Sequence, residues 1–429
     1  MKKLAMLLVV LLLAGSFVLA QEAEAAAADA TADEVLAAEE PAAEEPAAEE
    51  PAAEEPVTAT FAKAVSDHYV VVSEFGQERA EALSRQVEAY FGLYDSFARF
   101  DKASLPAKLN IREFKDKAGF DSYMTQVIGE TRGDFVYLHY ANPERSELLV
   151  YYKDAEEFSS SLAHQGFVQY LKAFIPSPPL WLREGAAVAF ESARWDDLSG
   201  TLSFPENLAW LETVKALKDK GSLLALDSLL AIGQTEANSK IDVFFPQAWA
   251  FVSFLMNSDQ KPFNRLLWDS IAALRKDAAL EDNQSAVSKI IGNWYGKDSV
   301  SEAFTAYLGE RKTFPELIAE GVDLYSGKSY DEARKAFEKA KTMDSGSYVP
   351  DYYLGLIAYA KNDFDSADSL YKAALELGCD PAITNYALGV NAYAQNRLED
   401  AKAFLRLAKE SSPDRYGEKV DTLIAKMGK

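Results

Sequence analysis

Residues 161–171 read Ser161-Leu162-Ala163-His164-Gln165-Gly166-Phe167-Val168-Gln169-Tyr170-Leu171, and Trp181-Leu182-Arg183-Glu184-Gly185-Ala186-Ala187 follows ten residues later. Both stretches fall where the apolar spacing predicts helices, over 156–174 and 180–194. Positions four apart on a helix share a face, so His164 and Val168 point to one side. Two histidines at that spacing can reach one metal ion, and a Glu next to the first can activate the metal-bound water. Here the second position is an aliphatic side chain without a donor atom, and the neighbour of His164 is the amide Gln165, which is no base at neutral pH.

Composition narrows the function classes. The chain has 429 residues, which suggests two or three domains, and its 48% hydrophobic and 12% aromatic content is ample for packed cores. A formal net charge of −23 excludes a nucleic-acid partner, because phosphate recognition needs clustered Lys and Arg. Cys379 is the only cysteine, so no intramolecular disulfide can form, and a small buried residue is the expected role. The three histidines are His68, His139 and His164. His68 reads as a surface residue at the start of a strand. Neither a Gly-rich phosphate loop nor a Gly-x-Ser-x-Gly elbow is present.

Lys2, Lys3 and the apolar run Leu4 to Leu13, closed by Val18-Leu19-Ala20 before Gln21, predict a signal peptide over 1–20. The run is short for a membrane span and has no stop-transfer flank, so no transmembrane span is expected after cleavage. No Cys stands at the cleavage site to mark a lipoprotein. The chain is therefore expected to be exported, periplasmic or extracellular in a bacterium. Residues 21–57 repeat Pro-Ala-Ala-Glu-Glu from Pro41 to Pro56 and carry 13 Asp and Glu with no Lys or Arg. Regular Pro and like-charge repulsion predict a disordered acidic linker.

Residues 58–311 read as one α+β domain. Strands are expected at Tyr69 to Val72 and Leu109 to Phe114. An antiparallel hairpin is expected from Phe135–Tyr140 and Leu148–Tyr152 around the turn Ala141-Asn142-Pro143-Glu144-Arg145. Ala80, Leu83, Val87, Tyr90, Phe91, Tyr94 and Phe97 mark an amphipathic helix, and another is expected over 118–127. Beyond the two motif helices, further helices are expected over 206–219, 244–257, 262–276, 284–295 and 299–311. Residues 315–429 carry a period of 34: Gly321, Gly355 and Gly389; Ala333, Ala367 and Ala401; Ala340, Ala374 and Ala408; with Phe337, Tyr371 and Leu405 as large residues in phase. Small residues let paired helices approach closely, and the large ones are expected to fill the gaps between units. Ser345, Cys379 and Pro413 share one position of the period. Tyr416, Val420, Leu423, Ile424 and Met427 mark a final capping helix.

The 34-residue pattern resembles the tetratricopeptide repeat, a helix-turn-helix unit, and predicts an all-α solenoid of three repeats with a cap. The two motif stretches together resemble the peptidase MA-like members of the gluzincin metallopeptidases. Those often carry His-Glu-Gly-x-His-Gln followed by Trp-Leu-x-Glu-Gly, and the helix Gln247-Ala248-Trp249-Ala250-Phe251-Val252 is also similar to this family. The resemblance covers most of 60–311 and implies a gluzincin-like α+β peptidase domain, with a small sheet containing antiparallel strands. It makes His164 and Glu184 the residual zinc-ligand positions and Gln165 and Val168 the degenerate ones, with His139 on the hairpin as a possible third ligand. Without the base and the second His, neither catalytic residues nor a metal are expected. Glu184 then has His164 or Arg183 as a partner, Trp181 packs the second motif helix on the first, and Gln165 and Gln169 line a polar cleft for an extended peptide.

The implied function is a non-catalytic, metallopeptidase-like scaffold that binds a protein or peptide through its repeats. The alternative is an active zinc metallopeptidase or cell-wall hydrolase with an altered metal site. A third reading is an assembly role in the envelope, with the acidic linker setting reach.

Overall fold

Tyr69-Val70-Val71-Val72-Ser73 alternates buried and half-buried side chains, the period-two signature of a strand with one well-covered face. In the computed structural model, which describes residues 61–133 and 135–427, this strand (β2, Tyr69–Ser73) belongs to a five-stranded mixed sheet of order β1-β2-β3-β5-β4. β1 (Ala62–Val65) is antiparallel to β2, while β2, β3 (Leu109–Phe114) and β5 (Glu147–Tyr151) run parallel. β4 (Phe135–Leu138) forms the other edge, antiparallel to β5, with Phe135 opposite Val150 and Leu138 opposite Glu147. The expected signal peptide (1–20) and acidic linker (21–57) lie outside the described residues. The described residues divide into two compact units, 61–311 and 312–427.

Alternation along the strands sends Val71, Ile111 and Leu148 to one face, under α1 (Gln77–Ala98) and α3 (Ala155–Phe174). Phe114, Leu149 and Val136 go to the other, where Phe120 and Met124 of α2 (Lys117–Ile128) cover them. Aromatic contacts fix α3 on α1. Tyr94 and Phe97 meet Phe167 with ring centroids 5.5 and 5.8 Å apart. The Tyr94 hydroxyl also donates to the Ala163 carbonyl at 2.7 Å. Gly166 leaves room for that hydroxyl, since a Cβ there would sit 3.1 Å from its oxygen. His68 is not a simple surface residue: it stacks on Phe91 with centroids 3.8 Å apart and places Nδ1 2.8 Å from Glu88.

The second motif helix, α4, is shorter than its apolar spacing predicts and ends at Phe190 (Leu180–Phe190). Arg194 turns back to donate to the carbonyls of Glu191 and Ala193, closing the helix end. A hairpin follows, β6 (Arg194–Asp196) and β7 (Thr201–Ser203). Asp196 accepts from the Leu198 backbone and the Ser199 hydroxyl, and Gly200 adopts φ 64°, which suits glycine in a tight turn. The next helix, α5 (Leu211–Asp219), starts later than the expected 206, because Asn207 accepts from the Ala209 backbone in an Asx turn. Two short helices that the periodicity did not reveal, α6 (Leu226–Ala231) and α7 (Gln234–Ser239), precede α8 (Ile241–Asn257). α9 (Lys261–Ala272), α10 (Leu280–Tyr295) and α11 (Lys297–Glu310) complete the unit.

In 312–427 the 34-residue period becomes three helical hairpins: α12 and α13 (Phe314–Ser326, Tyr330–Met343), α14 and α15 (Tyr348–Ala360, Phe364–Glu376), and α16 and α17 (Pro381–Ala394, Leu398–Ser411). α18 (Pro413–Met427) closes the series and buries Tyr416, Val420, Leu423 and Met427. Cys379 is buried in this core. The large residues sit against the glycines of their own hairpins. A Cβ on Gly321 would lie 2.7 Å from the Phe337 ring, one on Gly355 2.6 Å from Tyr371, and one on Gly389 2.7 Å from Leu405, each within its own hairpin. Phe337 alone of these three also stacks on a ring of the next hairpin, Tyr353, at 4.8 Å. The turns repeat too. Lys328, Asn362 and Asn396, spaced by the same period, take left-handed φ of 64°, 64° and 59°. Each following N–H bonds five residues back, to the carbonyls of Leu324, Ala358 and Ala392.

Two stability outcomes follow from these contacts. Gly355→Ala drives a methyl group into the Tyr371 ring and is expected to cost about 1–3 kcal/mol in chemical denaturation. Lys328→Asn places a residue tolerant of the left-handed region where its two counterparts already have one, and is expected to gain about 0.5–1 kcal/mol. An unchanged midpoint for Gly355→Ala would show that the hairpin can relax around the glycine.

Candidate functional site

The two motif helices bring His164 and Glu184 together. α3 begins at Asp154, whose carboxylate accepts from the backbones of Glu156 and Glu157 at 3.1 and 2.9 Å, with both acidic residues favourable in the first turn. Three turns on, His164 is buried. α4 is buried along its whole length, Leu180 to Phe190. Gly185 is what lets it in: a Cβ there would fall 2.3 Å from the Ala248 carbonyl oxygen and 2.8 Å from Val252 of α8. Trp181 packs edge-on against Phe251 of α8, centroids 5.2 Å apart.

His164 Nε2 stands 3.7 Å from Glu184 Oε2, and Nδ1 stands 2.8 Å from Glu191 Oε1. Arg183 Nε donates to Glu184 Oε1 at 2.6 Å, and its Nη2 donates to Gln234 of α7 at 3.0 Å. Asn207 reaches from beyond the hairpin to donate to the Val188 carbonyl at 2.7 Å and to Glu191 Oε2 at 3.4 Å. The result is a polar chain, Gln234–Arg183–Glu184–His164–Glu191–Asn207, buried at its centre, Arg183, Glu184 and His164, and half-buried at its other members. Burial alone would raise the Glu184 carboxyl, but the Arg183 guanidinium and His164 outweigh it and hold it down at about 2.

The degenerate positions lie as the helix dictates. Gln165 and Val168 are half-buried on α3. Gln169 does not line a cleft: it is fully buried and donates to the Asn110 carbonyl of β3 at 2.8 Å, tying α3 to the sheet. His139, just past β4, is exposed, with Nδ1 3.4 Å from the Tyr137 hydroxyl. Among the described residues no three His, Cys, Asp or Glu side chains are grouped to hold a metal ion, so His139 does not complete a set with His164 and Glu184. The donor set around His164 does not fit zinc. Val168 supplies no atom, and one Glu184 oxygen already accepts from a guanidinium whose charge opposes a second cation.

Sequence reasoning missed Glu191, Gln234 and Asn207. Glu191 had a signal, since it stands seven residues after Glu184 and so shares its helical face. Gln234 and Asn207 come from segments with no periodic pattern. No family model matches the chain, and no curated protein matches it.

The pairing of Glu184 makes stability depend on acid. Its folded carboxyl titrates at about 2 against an ordinary 4.5. The contribution is therefore complete above pH 4.5 and is lost as pH falls towards 2. It is expected to be on the order of 3 kcal/mol in denaturant titrations stepped through that window. Glu184→Gln should flatten the dependence; an equally steep acid limb in the variant would assign it to other carboxylates.

Proposed function

We propose that this chain is an exported protein of metallopeptidase-like frame that does no peptidase chemistry and serves as a protein- or peptide-binding scaffold in the cell envelope. The observation that carries the first half is the Arg183–Glu184 contact at 2.6 Å. In a gluzincin frame Glu184 would be a zinc ligand; here its charge is met by a guanidinium from the adjacent residue. The general-base position of that frame is held by Gln165, an amide, and catalysis by a general base needs a group that can take up a proton near the working pH.

The binding role rests on the three hairpins and their cap, read as tetratricopeptide repeats. Stacked repeats offer an extended surface to a peptide or partner helix, an argument from fold-level analogy. None of the described helices is long and apolar enough to cross a membrane.

Purified wild-type protein is expected to carry no stoichiometric zinc by elemental analysis. Gln165→Glu with Val168→His restores a base and a second imidazole but leaves Arg183 on Glu184, so weak zinc binding is expected. Adding Arg183→Ala should raise it towards one zinc per chain, with circular dichroism confirming the fold. One tightly held zinc in the wild type, or peptide hydrolysis that disappears in Glu184→Ala, would overturn the non-catalytic reading. A folded triple variant that ignores zinc would overturn the metallopeptidase frame. For the binding role, the full chain should retain specific envelope proteins in pull-downs that a chain lacking 312–429 does not retain; identical captures would assign binding to the first unit.

A further inference from the structure

We draw no further inference here: the strongest candidate, the exposed aromatic pair Phe75 and Tyr152 beside Arg79 at the carboxyl ends of β2 and β5, is an unpartnered apolar patch and nothing in the structure shows what covers it.

Discussion

The backbones of α4 and α8 cross so closely at Gly185 and Ala248 that no side chain fits between them, and the arrangement around His164 follows from that crossing. A glycine inside a helix costs about 1 kcal/mol in propensity relative to alanine. The cost is offset by burying α4 on every side, from Leu180 to Phe190. A helix so enclosed leaves no solvent to receive its two charged residues. Arg183 and Glu184 must therefore find partners inside the protein, and they find each other, Gln234 and His164. The close crossing thus makes an internal ion pair necessary.

An internal pair of this kind is not a free gain in stability. Taking both charges out of water costs several kcal/mol per ion, and the attraction repays that only when the remaining hydrogen-bonding capacity is also met. The polar chain from Gln234 to Asn207 meets much of it. The same logic holds in the sheet. Glu113 is fully buried and is answered by Ser73 at 2.7 Å and by a two-pronged contact from Arg79 at 2.9 and 2.6 Å. At Glu113 the guanidinium fork of Arg79 grips the carboxylate with two nitrogens, whereas at Glu184 a single N–H of Arg183 meets one oxygen and the other prong goes to Gln234.

Where hydrophobic period and element length agreed, the sequence was easily read. β3 at Leu109–Phe114 and the long α1 and α3 lie where alternation and helical spacing put them. Boundaries failed where side chains bonded locally to the backbone. Arg194 and Asp196 ended α4 and opened a hairpin, and Asn207 delayed α5, none of which a hydrophobic pattern registers. Short β1 and the six-residue α6 and α7 carry too few apolar residues to show a period. At the candidate site, His164 and Glu184 were legible as residue types at motif spacing. Their partners were less so: Arg183 was one of two open choices, and Glu191 lies on the face of Glu184 but at the very end of α4, where the helix boundary was misplaced. The 34-residue period was visible, but a period alone does not say whether a large residue packs within a hairpin or between hairpins.

That last distinction bears on where such an array can be cut. Each glycine finds its bulky counterpart inside its own hairpin, at Phe337, Tyr371 or Leu405, so every hairpin brings its own tightest fit with it. A cut between hairpins separates no glycine from its counterpart. A break placed between the two helices would leave one glycine facing a void and one large side chain without its recess. The tightest fits thus lie inside the hairpins, and the junctions between them carry the looser contacts, such as the Phe337–Tyr353 stack between α13 and α14.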